Sequence, residues 1–209
     1  MSTISFSQLE SARKNPSAFA KNIGKGGSSS RFSKYMAWQL SIHEYHKHSE
    51  DLAKSINYFE MTFIRNFADN PKNAAERAQW IQEIEAYSKN DIALKLTHVE
   101  SKKRVSIQLA TKVTFGGQLP LIKMNNKGGY SVFFFSRESA TWEEELRFPI
   151  IQNYVAQTLY NVDLSEIEVG IYSLDFQKHL SKIYSSKDVK EAIKELNAIG
   201  KAVSKVLAP

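Results

Sequence analysis

FGGQLPLIKMNNKGGYSVFFFSRES, residues Phe115 to Ser139, reads as two strands folded about a glycine turn. The segments at 118–124 and 130–136 are rich in branched and aromatic residues, and Gly116-Gly117 and Gly128-Gly129 punctuate them. Three adjacent phenylalanines, Phe133 to Phe135, fill the second strand. Strand alternation sends Phe133 and Phe135 to one face and Phe134 to the other, so all three are expected to be at least half buried, as a sheet covered by helices on both faces would hide them. From Thr114 to Arg137 there is not one Asp or Glu, and neither strand offers a carboxylate in any register.

Working outward, the strand signals extend upstream to 103–115 and 92–99, and downstream to EIEVGIYSL at 166–174. Leu52, Ile56, Phe59, Phe63 and Phe67 recur at intervals of three and four within a helical pattern from about Ser33 to Ala68. Asn70-Pro71 starts another helix, which carries Trp80, Ile81, Ile84 and Tyr87 and ends near Asn90. A helix from Thr141 to Tyr160 precedes the 166–174 strand, and an amphipathic helix from Ser186 to Leu207 ends the chain. At the start, Ser7 and Glu10 have capping-box spacing, and Asn15-Pro16 divides the first helical stretch. GKGGSSS, residues 24–30, is a flexible loop without the spacing or strand–helix context of a P-loop. The chain reads as one domain over 1–209: mainly helical over 1–90, a sheet with a crossover helix over 91–175, and a helical segment over 176–209.

Composition narrows the chemistry. Hydrophobic residues make up 42% of the 209, and charged residues 24%, values of a globular chain. The absence of cysteine excludes disulfides, thiolate metal sites and cysteine nucleophiles. No apolar run reaches the roughly 18 residues of a membrane span, and the opening residues lack an apolar signal core, so a cytoplasmic chain is expected. The net charge of +6 is uneven: residues 1–35 hold Arg13, Lys14, Lys21, Lys25, Arg31 and Lys34 against Glu10 alone, a net +5. Lys102, Lys103 and Arg104 add a second basic group, expected at a turn between strands. These nine cations are the candidate phosphate contacts, and Phe32, Tyr35 and Trp38 are candidate stacking partners for bases. HEYHKH, residues 43–48, spaces His43 and His46 three apart, a pair able to chelate a metal, but tetrahedral zinc needs a third and usually a fourth ligand, which nothing in the sequence obviously supplies. No serine sits in G-x-S-x-G.

The order of one long helix, three or four strands, a helix and a further strand resembles the core of the PD-(D/E)XK nuclease superfamily, especially its RecB-like exonucleases. TISFSQLESARKNPSAFAK resembles the opening of such chains. AWQLSIHEYHK places His43 where that family carries a helix histidine. ELRFPIIQNYVAQTL resembles the helix after the catalytic strand, with Gln152 at the glutamine of Q-x-x-x-Y, and VDLSEIEVGIYSL resembles the strand that follows. The resemblance implies an α/β fold with that core, extra N-terminal helices and a C-terminal helix.

Active members of the family hold divalent metal with an aspartate on one strand and E-x-K on the next. The resemblance puts Pro120 at the aspartate, Phe134 at the glutamate, Ser136 at the lysine and Ala156 at the tyrosine of Q-x-x-x-Y. Proline and phenylalanine offer a metal no side-chain donor. The implied site, His43, Pro120, Phe134, Ser136 and Gln152, is therefore degenerate, with neither metal nor other cofactor. Relocation onto Glu138, Glu143, Glu144 and Glu145 is the remaining route to a metal. Successive helix side chains diverge by about 100°, however, and acidic residues in a first turn suit the helix dipole.

What the resemblance implies is a non-catalytic nucleic-acid-binding or scaffolding protein that works with a protein partner and stays off membranes. A protein-interaction subunit without nucleic acid, and a metal-dependent nuclease with relocated carboxylates, are the alternatives.

Overall fold

The computed structural model describes residues 2–23, 31–137 and 140–207. Its centre is a mixed six-stranded sheet in the order β1-β3-β4-β5-β6, with β2 paired to β3. The strands are β1 (Ser2–Ser5), β2 (Thr97–Ala110), β3 (Val113–Met124), β4 (Tyr130–Ser136), β5 (Ile167–Ser173) and β6 (Lys178–Lys182). β2 runs antiparallel along all of β3, while β1, parallel to Val113–Gly116, and β4, antiparallel to Leu121–Met124, share the other edge.

Pro120 lies in β3 between the stretches held by β1 and β4, where a missing N–H costs no ladder bond on that edge. Val113, Phe115 and Leu119 face one core cluster and Ile122, three residues on, faces it too, while Leu121 belongs to the other. The side-chain phase therefore shifts at Pro120. β3 also runs unbroken through Gly116-Gly117, where the sequence suggested punctuation. At Gly117 an added Cβ would stand 2.7 Å from the Phe6 ring, so the glycine admits a close approach within the strand. Gly128, at a φ of +88°, does make the β3–β4 turn.

Each face of the sheet buries one cluster. The first packs Ile4, Phe115, Phe134, Phe148, Ile171 and Leu196 under α1 (Leu9–Lys14), α2 (Pro16–Asn22), α6 (Arg147–Tyr154) and α7 (Ser186–Leu207). The second packs Trp38, Tyr45, Phe59, Tyr87, Phe133 and Tyr172 under α3 (Lys34–Lys47), α4 (Leu52–Asn66) and α5 (Pro71–Leu94). Phe133 and Phe134 are 1% and 5% exposed on opposite faces, as strand alternation requires.

Several boundaries move for physical reasons. The helical pattern from Ser33 to Ala68 is two helices, because Ser49 and Glu50 take φ of 58° and 64° and Asp51 caps a new start by accepting from Lys54 N. α5 continues to Leu94, through the expected start of the 92–99 strand, and ends at left-handed Lys95. The capping box sits two residues upstream of Ser7 and Glu10, since β1 uses the first residues: Ser5 N donates to Gln8 Oε1 at 3.1 Å. Glu10 instead accepts from Leu146 N. The helix expected from Thr141 becomes regular only at Arg147, which places Pro149 in its first turn, and it closes in a π-helical turn, Val155–Tyr160. β6, in the segment expected to be helical, is a short exposed edge strand with no apolar run to announce it. α7 spans Ser186–Leu207, as its amphipathic pattern indicates. No helix among the described residues is long and apolar enough to cross a membrane.

Candidate functional site

The five positions of the degenerate site do not share one pocket. Phe134 points into the first cluster, edge-on to Phe6 and Phe148, with the Arg147 guanidinium 4.8 Å from its ring centre. Gln152 is fully buried on that side and saturated: its Nε2 donates to the carbonyls of Leu164 and Tyr184, and its Oε1 accepts from Tyr184 N at 2.8 Å. It clasps α6 to the stretch ahead of α7. His43 belongs to the opposite face, its ring 5.7 Å from Phe135, and burial, reinforced by Lys102, pushes its pKa down to about 3. Pro120 is half-buried in β3, and Ser136 ends β4 opposite Ser173, its carbonyl accepting from Leu174 N.

Two glutamates of the relocation route are held in ion pairs, and Glu144 is exposed. Glu143 pairs with Lys182 at 3.0 Å and Glu145 with Arg147 at 2.7 Å, while Glu138 lies outside the described residues. Among the described residues, the grouping with metal-ligand spacing is a different one, His46, Glu50 and Asp91.

The nine candidate phosphate contacts divide. Arg13 grips Glu195 through Nε at 2.7 Å and Nη2 at 3.2 Å, Lys34 pairs with Glu76, and Lys103 pairs with Glu100 at 3.1 Å. Lys14, Lys21, Arg31, Lys102 and Arg104 are exposed, and Lys25 lies outside the described residues. Lys102, Lys103 and Arg104 are not at a turn: they lie within β2, opposite Leu119 and its neighbours in β3. Lys102 takes a φ of 57° against Pro120, which cannot donate to it. Arg104 and Ser106 alternate with Val105 and Ile107 of the first cluster and so face the other way. With Thr3, Ser5 and Gln118 they line an open depression of about 500 Å³. Of the candidate stacking aromatics, one is internal and two are half-buried against other rings. Trp38 is fully buried, Tyr35 stacks on it at 5.7 Å, and Phe32 packs against Phe67.

A charged cluster lies between the sheet and the second-face helices. Lys123, wholly buried on β3, donates to both carboxylate oxygens of Asp91 at 2.7 Å and to Glu50 Oε1 at 3.2 Å. His46, also buried, meets Tyr87 Oη through Nε2 at 2.7 Å, places Nδ1 3.6 Å from Glu50 Oε1, and stacks on His98. His46 and then Lys123 hold the Glu50 carboxyl down at about 2, whereas burial pushes Asp91 up against the pull of His46 and Lys123. The break between α3 and α4 is what turns Glu50 back toward His46. Sequence reasoning missed this cluster, whose one visible signal is a lysine inside the apolar run LIKM, a position that burial forbids without a carboxylate.

No family model matches the chain, and no curated protein does. Among solved structures, the crystal structure of SSO0001 is similar over 91% of this chain and 84% of its own, at 12% identity and a TM-score of 0.31.

Proposed function

We propose that the chain binds nucleic acid without cutting it, on a degenerate PD-(D/E)XK-like sheet, and acts beside a catalytic partner. One observation carries this reading. From Ser101 to Arg137, a stretch that holds most of β2 and all of β3 and β4, there are seven basic residues and no Asp or Glu. Only Lys123 among the seven is buried. Lys102, Arg104 and Lys112 are exposed on β2 and its turn, and Arg104 adjoins hydroxyls and an amide, the groups that bond phosphate oxygens and sugars without reading bases. Loss of the family's metal ligands does not weaken such a surface, because phosphate attraction and metal-assisted hydrolysis use different residues.

A fluorescence titration of labelled oligonucleotides at several salt concentrations tests it. With about four phosphates neutralised, the slope of log affinity against log salt is roughly −3 to −4. Replacing Lys102, Arg104 and Lys112 with alanine reduces the slope by about one for each phosphate no longer neutralised, whereas Lys14→Ala and Lys21→Ala change it little. Absence of binding at about 50 mM salt, or binding indifferent to the β2 substitutions, overturns the proposal. The second reading, a protein-interaction subunit, would then lead, on the exposed Met61 (66%) and Ile64 (64%) of α4.

A further inference from the structure

The histidine run HEYHKH places His46 four residues ahead of Glu50, and the fold brings Asp91 of α5 beside them. One ligand atom from each of His46, Glu50 and Asp91 lies within 4.8 Å of the other two. We propose that these three side chains form a divalent-cation site, selective for an ion that accepts mixed nitrogen and oxygen ligands, such as Zn²⁺ or Mn²⁺, with the Lys123 ammonium as its competitor. The site is separate from the open β1–β3–β2 surface, and neither proposal depends on the other.

The unsatisfied atom is His46 Nδ1. It is buried, has no hydrogen-bond partner, and faces Glu50 Oε1 at 3.6 Å, too far for a hydrogen bond. The other ring nitrogen is held by Tyr87 Oη at 2.7 Å. With an ion bound, Nε2 keeps the proton and donates it to that hydroxyl, and the Nδ1 lone pair turns to the ion, which replaces the imidazole as the cation beside the Glu50 carboxylate. An outer partner fixing the tautomer in this way is the usual support of a metal-bound histidine. Two carboxylates, Glu50 and Asp91, converge on the site beside the single Lys123 ammonium, which supplies the anionic ligands an ion needs. Nitrogen together with carboxylate oxygen suits zinc or manganese better than calcium, which prefers an all-oxygen shell. Entry is past Glu50, whose side chain is 32% exposed at the break between α3 and α4, while His46 and Asp91 are closed off beneath it. Lys123 occupies both oxygens of Asp91, so an incoming ion competes with its ammonium for that carboxylate.

Calorimetric titration of the full chain with ZnCl₂ and with MnCl₂ tests the site, with circular dichroism confirming that each variant folds. One ion per chain binds. Glu50→Gln, which keeps the shape and removes the charge, weakens binding at least about tenfold, as does His46→Gln. His48→Ala, which removes an exposed neighbour paired with Glu44, leaves binding unchanged. Lys123→Met binds about tenfold tighter or better, and its thermal midpoint rises on adding the ion. Should Glu50→Gln or His46→Gln fail to fold, the Lys123→Met gain and the His48→Ala control still decide the matter. No binding by the wild type at about 1 mM ion, binding by Lys123→Met alone, or binding abolished in His48→Ala overturns the proposal.

Discussion

At the scale of single residues, three half-buried histidines are held as neutral rings. Burial pushes His43 and His179 down to about 3 and His98 down to about 4. His179 is the barest: both ring nitrogens are buried without a partner, among Phe133, Tyr172 and Tyr87 at 4.6, 5.0 and 5.6 Å. In the unfolded chain each histidine titrates near its ordinary value of about 6.5, so between that pH and the folded value the unfolded state binds more protons. Stability is therefore full above about pH 6.5 and falls as the pH drops toward 4. Asp91 and Glu145, raised by burial, work in the opposite direction at lower pH, so a difference between variants isolates the histidine. Urea midpoints at pH 7.5 and pH 5 should fall less for His179→Leu than for wild type. An equal fall in both would contradict the account. Such burial was partly legible: the alternation of Phe133, Phe134 and Phe135 gave their faces. The role of Gln152 was not, because the groups it bonds are backbone atoms of Leu164 and Tyr184, which no side-chain motif encodes.

At the scale of elements, that glutamine holds α6 to the approach of α7 through two hydrogen bonds with Tyr184 and to the turn ahead of β5 through a third with Leu164. Gln152→Met keeps the volume and leaves the Tyr184 amide and two carbonyls unpaired in the interior. A loss of about 2–4 kcal/mol is expected, at roughly 1–3 kcal/mol for each buried group left unsatisfied and with partial relaxation. Denaturant unfolding measures it. A loss below about 0.5 kcal/mol would show that Gln152 is not a clasp, and a change in nucleic-acid affinity without loss of stability would make it a site residue after all. α7 was readable because Val189, Leu196, Ile199 and Val203 recur on one side over about four turns, and all four are buried. The α3–α4 break was not readable, since helical periodicity continues through it and the interruption lies in two left-handed residues, Ser49 and Glu50, neither of them glycine. The long β3 escaped for the converse reason: its paired glycines serve close packing rather than a turn.

At the scale of the whole molecule, the α/β class and the lack of carboxylates on the central strands were present in the sequence. The sheet order was not, because β1 and β4 share one edge of β3 through pairings between residues far apart along the chain. Nor was the Lys123–Asp91 pair, whose members lie 32 residues apart on a strand and on a helix that was expected to end before Asp91. The basic surface likewise moved. The N-terminal cations are partly engaged by Glu195 and Glu76, while β2 and its turn keep Lys102, Arg104 and Lys112 exposed. Binding without cleavage is the central claim. The most direct measurement is gel electrophoresis of end-labelled single-stranded and duplex oligonucleotides incubated with the protein and Mn²⁺ at low salt, run native and then denaturing. A retarded native band that yields full-length strands on the denaturing gel is the predicted result; an unretarded band, or strands shortened in proportion to protein, would contradict it.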